Sequence, residues 1–268
     1  MVIGPAAYVL PDVTGKGLLV YRVDDDEWTR MPAPFGEGYQ LLAAGERLVA
    51  YQATEEYGPG KDYLFDPRTA TWAALPADPL SAAFNRGMAW TGTELVLFDH
   101  ELVPNPGAEK PSITRAAALD LTTGSWRRLP DSALLGNGPW LAAGDQLVNP
   151  TLGGADGGKI GNWGRTYPYG GSVAPATGVW SPLPDPPPGD PPSAGARTAT
   201  TALYLGDRGV VLDTTTGTWQ SVPPIPGEQV TGRTIVAAGV RMVVFGGARQ
   251  DAVPAVVSDA WIWTPRLR

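Results

Sequence analysis

One short phrase recurs five times along this chain, and it restricts the folds available more than any other feature. Its clearest copy is Asp120 to Pro130, DLTTGSWRRLP. The others are Asp24 to Pro32 (DDDEWTRMP), Asp66 to Pro76 (DPRTATWAALP), Pro175 to Pro184 (PATGVWSPLP) and Asp213 to Pro223 (DTTTGTWQSVP). The anchoring tryptophans are Trp28, Trp72, Trp126, Trp180 and Trp219, spaced 44, 54, 54 and 39 residues apart. A repeat of about 40–50 residues means that one supersecondary unit is used again and again, each copy burying its apolar face against its neighbours.

Physical chemistry gives the phrase its structure. The run before it (Tyr63 to Phe65, Ala116 to Leu119, Val210 to Leu212) is short, apolar and partly β-branched, as a strand should be. Asp and Thr-Gly then supply a tight reversal. The tryptophan opens a second strand and needs burial beyond its own hairpin. Proline ends that strand because it cannot donate to a ladder.

The last repeat reads Met242 to Gly247 (MVVFGG), a loop, then Ser258 to Trp263 (SDAWIW). With this Gly-Gly doublet and Asp-x-Trp strand, the chain resembles a kelch-repeat β-propeller over nearly its whole length. The resemblance implies an all-β fold and a single propeller domain spanning residues 1–268. Six blades is the first expectation. Five is the alternative, with the Trp28 strand completing the final blade. The ragged ends leave open a fragment of a longer protein. Kelch propellers also form the central domain of copper radical oxidases related to galactose oxidase. Those need a Tyr-Cys cross-link and several histidines, whereas this chain has no cysteine and one histidine, so that copper site is excluded.

Composition excludes further classes. Without cysteine there are no disulfides, thiolate metal sites or cysteine nucleophiles. A net charge of −7 and the lack of a basic stripe argue against a nucleic-acid partner. No stretch approaches the roughly 20 apolar residues of a membrane span. No basic-then-apolar leader precedes the first residues, so an export signal is expected to be removed or absent. The bias toward Ala, Gly, Pro and Arg suggests a bacterial source, with an extracytoplasmic or secreted location expected and a cytoplasmic one as the alternative. A monomer without cofactor or bound metal is expected.

The strand plan within the repeats is legible. Tyr39 to Ala43, Arg47 to Tyr51, Asp62 to Phe65 and Thr71 to Leu75 form one blade, and Gly87 to Trp90, Glu94 to Phe98, Arg115 to Leu119 and Ser125 to Leu129 the next. Residues 139–184 are looser, and residues 197–223 read as short, with one strand missing or two fused. The N-terminal unit reads as lacking its inner strand and the C-terminal one as lacking its outer tryptophan strand.

In antiparallel four-stranded blades, the connections from strand two to three and from blade to blade leave the same face. The first set is long here: Gln52 to Lys61, Asp99 to Thr114, Asn149 to Pro168 and Gly246 to Ser258. Loops beyond about a dozen residues in compact domains are usually functional or disordered. This marks a working face. On it, Arg86, Arg197 and Arg233 are expected where innermost strands begin, as an anion site or as ties within each blade. Trp163, Arg165, Tyr167 and Tyr169 are candidates for an aromatic platform, or for a loop packing its own rings. His100, in the loop sequence Asp99-His100-Glu101, is a candidate general acid or base with Asp99 and Glu55, or simply an exposed residue. Two functions follow as expectations. One is a non-catalytic module binding a glycan, peptide, protein or small acidic molecule. The other is a metal-independent hydrolase, lyase or cyclase at the channel mouth.

Overall fold

A computed structural model describes residues 1–10, 17–53, 61–81, 83–103, 111–136, 139–149, 170–184, 187, 194–198, 200–205, 209–223, 225, 230–249 and 255–264. The described residues form strands and turns without a helix. They pack as two compact units, Met1–Leu102 with Arg115–Pro130, and Val103–Thr114 with Asp131–Arg268.

The first unit holds three four-stranded antiparallel sheets, each in sequence order. Sheet one is β1 (Val2–Ile3), β2 (Ala6–Val9), β3 (Leu18–Arg22) and β4 (Glu27–Met31). Sheet two is β5 (Tyr39–Ala44), β6 (Arg47–Gln52), β7 (Tyr63–Asp66) and β8 (Thr71–Ala74). Sheet three is β9 (Ala83–Trp90), β10 (Glu94–Glu101), β11 (Thr114–Asp120) and β12 (Ser125–Arg128), with Thr114 belonging to the second unit.

The second unit holds sheet four, β13 (Leu141–Ala143), β14 (Gln146–Asn149), β15 (Gly171–Ala174) and β16 (Val179–Pro182). Sheet five is β17 (Ala194–Arg197), β18 (Thr201–Leu205), β19 (Gly209–Asp213) and β20 (Thr218–Ser221). Two three-stranded sheets follow, built from β21 (Val230–Thr231), β22 (Thr234–Ala238), β23 (Arg241–Phe245), β24 (Ala248–Arg249), β25 (Ala255–Val256) and β26 (Ala260–Trp263). β22, β23 and β26 form the larger; β21, β24 and β25 form the smaller.

The repeated phrase closes the hairpin between third and fourth strands. Asp120 Oδ1 accepts from Thr122 N at 2.7 Å, and Asp213 Oδ1 accepts from Thr215 N at 2.8 Å. Asp66 does the same for Arg68 N at 2.9 Å. The residue two before each tryptophan has positive φ in every copy: Asp26 (51°), Ala70 (53°), Gly124 (70°), Gly178 (71°) and Gly217 (69°). This is why glycine dominates there. Ala70 holds the same backbone at a cost of about 1–2 kcal/mol.

Trp72, Trp126 and Trp219, and the pair Trp261 and Trp263 near the C-terminal end, each pack onto the sheet before their own. Trp72 joins Tyr8, Leu18 and Val20 of sheet one. Trp126 joins Leu42, Val49 and Leu64 of sheet two. Trp219 joins Leu141 and Val148 of sheet four. Trp261 and Trp263 join Ala196, Leu203 and Val211 of sheet five. Two indoles add a hydrogen bond to the preceding sheet's closing proline: Trp126 Nε1 donates to Pro76 O at 2.9 Å, and Trp219 Nε1 to Pro184 O at 2.8 Å.

Several expectations need correction. The strand missing from residues 197–223 lies just before them, since Ala194–Arg197 supplies β17 and completes the sheet. That strand is made of small residues up to its last, Arg197. A Cβ on Gly195 would lie 3.0 Å from Tyr204 and 3.1 Å from Leu141, so the close approach requires glycine there. The N-terminal unit does have a first strand, the two residues of β1. The run Gly246 to Ser258 is not simply a loop, since it contains β24 and β25.

The turn geometry makes a direct prediction. Ala70→Gly should stabilise the protein by about 0.5–1 kcal/mol, the relieved strain exceeding glycine's entropy cost. Gly124→Ala, where an added Cβ meets only Pro76 at 3.8 Å, should destabilise it by about 1 kcal/mol. Urea denaturation of both variants checks the opposite signs.

Candidate functional site

In the first unit, two long connections begin and end beside one buried ionic network. The connection between β6 and β7 has Gln52 at one foot and Asp62 at the other. Gln52 N donates to Asp62 Oδ1 at 3.0 Å, which pinches the two feet together. Arg86, from β9, grips the pinch. Its Nη2 donates to Asp62 Oδ2 at 2.9 Å and to Asp78 Oδ2 at 3.2 Å, and its Nη1 donates to Gln52 O at 2.8 Å.

The connection between β10 and β11 is held in the same manner. Asp99 lies at one foot and Arg115 at the other. Arg115 Nε donates to Asp99 Oδ1 at 2.9 Å and Nη2 to Asp99 Oδ2 at 3.0 Å, a two-pronged pair. Its Nη1 also donates to Ser81 Oγ at 2.8 Å. The carboxylates of Asp62, Asp78 and Asp99 and both guanidiniums are buried.

A bulge aims the components. Phe98 pairs with Gly87 and His100 with Phe84, so Asn85 and Arg86 together oppose the single residue Asp99. Asn85 takes φ 51°, the left-handed conformation that asparagine tolerates better than most residues. The extra residue turns Arg86 off the regular alternation of its strand.

Burial sets the electrostatics. It pushes the Asp99 carboxyl above its ordinary value, against the pull of Arg115 and with a push from Asp78. For Arg86, burial works against the charge, yet Asp62, Asp78 and Asp99 outweigh it and raise the guanidinium's pKa. Nearby, Tyr51 is pushed by burial to about 12, and its hydroxyl donates to Gln40 Oε1 at 2.7 Å.

The structure sorts the residues singled out in the sequence. Arg86 is engaged by two carboxylates. Arg197 ends β17 instead of opening an innermost strand, so it stands at the turn into β18. That turn is at the opposite end of sheet five from the β18–β19 connection, and the shared placement expected for the three arginines does not hold. Arg233 does precede an innermost strand, β22, and its Nη1 donates to Gly246 O at 3.5 Å. His100 is not in a loop: it is the seventh residue of β10, with 3% of its surface exposed. Asp99 is likewise in β10, at 1%. Glu55, Trp163, Arg165, Tyr167 and Tyr169 lie outside the described residues.

Asp62, Asp78, Ser81 and Arg115 were not candidates on sequence grounds. For Asp62 and Arg115 the visible signal is a charged residue directly abutting an apolar run at the end of a long connection, whereas Asp78 and Ser81 carry none. Among the described residues, no group of three or more His, Asp or Glu side chains is arranged to hold a metal.

Comparison with known proteins bears on the fold. No protein family and no curated protein matches the sequence. Among solved structures, that of YjhT matches with a TM-score of 0.57 at 14% identity, over 87% of this chain and 83% of that one. The fold is propeller-like. An identity this low carries architecture alone, with no transfer of function.

The buried pair generates a prediction. Arg115→Met strands the Asp99 carboxyl and should cost about 3–5 kcal/mol, with Asp99→Asn in the same chain restoring part of the loss. A urea-denaturation double-mutant cycle reads both. The pH dependence has a definite sign. Asp99 retains a proton in the folded protein that the unfolded chain has released above about 3.9. Its contribution is therefore largest at low pH and declines as pH rises through the folded value. The stability of wild type relative to Asp99→Asn should fall with pH across that window.

Proposed function

We propose that this chain is a kelch-like β-propeller of six blades that binds a ligand on its long-connection face and performs no chemistry on it. The ligand classes are those the sequence suggests: a glycan, peptide, protein or small acidic molecule met outside the cytoplasm of a bacterium. One observation carries the reading. Two long connections have their feet, Gln52 with Asp62 and Asp99 with Arg115, clamped by buried charges in the first unit, so the segments between them spring from a fixed base. Binding residues are commonly carried on loops positioned in this way.

A similar root occurs in the second unit. Asn149 and Gly171, which flank the connection after β14, are backbone partners, and Asn149 is fully buried. A Cβ on Gly171 would lie 2.7 Å from Ser181 O and against Leu134, so this foot is closely packed too.

The burial of Asp99 and His100 weighs against direct contact with a substrate. The enzyme reading keeps one supporting observation, the raised pKa of Asp99, which suits a proton-holding group.

The test is a thermal-shift screen with acidic sugars, neutral glycans, small carboxylates and inorganic phosphate. It is repeated on chains whose residues 54–60 or 104–110 are replaced by Gly-Ser linkers. At least one probe should raise the wild-type melting temperature, and at least one replacement should abolish that rise while moving the ligand-free melting temperature by under about 3 °C. Equal ligand stabilisation in both replacements would remove these loops from the site. Turnover of the bound probe by wild type, lost in Asp99→Asn, would favour the enzyme.

A further inference from the structure

The two clamps of the first unit meet at one short segment. Residues 78–81 lie in the crossover from sheet two to sheet three, and each clamp arginine holds one end of them. Arg86 Nη2 donates to Asp78 Oδ2 at 3.2 Å, and Arg115 Nη1 donates to Ser81 Oγ at 2.8 Å. The segment is braced within itself, since Leu80 N donates to Asp78 Oδ1 at 2.9 Å. The Leu80 side chain belongs to the buried apolar cluster of Val49, Leu97 and Ala117. Movement at Asp78 is thereby passed on to Ser81. All of these residues lie within the first compact unit.

Charge gives the segment a second role. Asp62, Asp78 and Asp99 face Arg86 and Arg115, and all five side chains are buried. Three carboxylates against two guanidiniums leave one negative charge uncompensated, which a site withdrawn from water carries only at high cost. The described residues supply no third cation. Tyr39 and Tyr51, which lie near Asp62 and Arg86, are both pushed up by burial and stay neutral. His100, the next residue on β10, stands on the other side of that strand by alternation, with Val96 and Phe98. A proton restores the balance, and Asp99 is the acid placed to hold it. Asp62 accepts from Arg86 and from Gln52 N, and Asp78 from Arg86 and Leu80 N. Among the described residues Asp99 accepts from Arg115 alone. Burial raises its carboxyl, and Asp78 pushes it the same way.

We propose that the 78–81 crossover joins the two clamps into one unit whose feet open together, and that this opening releases a single proton. The closed network holds the proton because the buried charges need it. Once water enters, each group is solvated separately and Asp99 returns to the ordinary carboxylate value of about 3.9. Linkage then fixes the sign. The closed state is favoured most below that value, and the preference is lost as pH rises through the higher folded value of Asp99. The effect reaches Gln52, at the far clamp, which makes no bond to Asp99.

The test is nuclear magnetic resonance of the full chain without ligand, from about pH 3 to pH 7, which brackets the carboxylate range. Two hydrogens are followed as protection factors, corrected for the intrinsic pH dependence of exchange. Gln52 N–H bonds to Asp62 and reports the first clamp, and Arg115 Nε–H bonds to Asp99 and reports the second. Both protections should fall in parallel by about tenfold per pH unit above 3.9 or so, the slope of one released proton, and level off together. Asp99→Asn should abolish the slope at Gln52. Ser81→Ala, which cuts the bridge at Arg115 without altering charge, should make the two protections part. A Gln52 protection that stays level in wild type, separate levelling points, a Gln52 slope that survives Asp99→Asn, or protections still equal in Ser81→Ala would each overturn the proposal. The wild-type curves decide alone should a variant fail to fold. No ligand is present, so the outcome is independent of the binding reading.

Discussion

No tryptophan of this repeat can be buried by the hairpin that carries it. The indole projects from an outer strand, and the surface that covers it belongs to the preceding sheet, as Trp72 on Leu18 and Trp126 on Val49 show. Each sheet is thus stable only as one of a stack. The hydrogen bonds from Trp126 to Pro76 and from Trp219 to Pro184 fix the angle at which neighbours meet, since a carbonyl must lie in line with the indole N–H. The left-handed residue two positions earlier is part of the same device. It reverses the chain sharply enough to deliver the ring to the correct side.

The buried charges follow a different logic. An ion pair withdrawn from water contributes little net stability, because desolvation offsets most of the attraction. What the Arg86–Asp62–Asp78 and Arg115–Asp99 groups supply is uniqueness of position. A guanidinium satisfied by two carboxylates and a carbonyl leaves few alternative arrangements of the strand ends it joins. The asparagine bulge at Asn85 is the local strain accepted to complete it.

Much of the architecture was legible in the sequence, and the omissions have physical causes. Strands with alternating or continuous apolar residues, such as β5, β6, β10 and β19, announced themselves. β17 did not, because Ala194, Gly195 and Ala196 have too little side chain to form a pattern; at Gly195 that smallness is what the packing against Tyr204 demands. β10 was cut short at Phe98 because Asp99 and His100 look like solvent-facing residues. They are buried since Arg115 neutralises the first and the strand continues through the second. The candidate site was harder still. Asp99 and Arg115 are 16 positions apart, and Asp62 and Arg86 are 24 apart. Only strand pairing brings them together, and no local motif encodes it.

The clamped feet have an evolutionary consequence. Once the two ends of a connection are held at a fixed separation by groups inside the sheet, the entropy of the intervening chain grows only logarithmically with its length, by about 0.6 kcal/mol for each doubling. Insertions between Gln52 and Asp62, or between Asp99 and Arg115, therefore leave the scaffold nearly indifferent. Descendants of this sequence could diversify those segments freely, trading one recognition surface for another without reworking the interior.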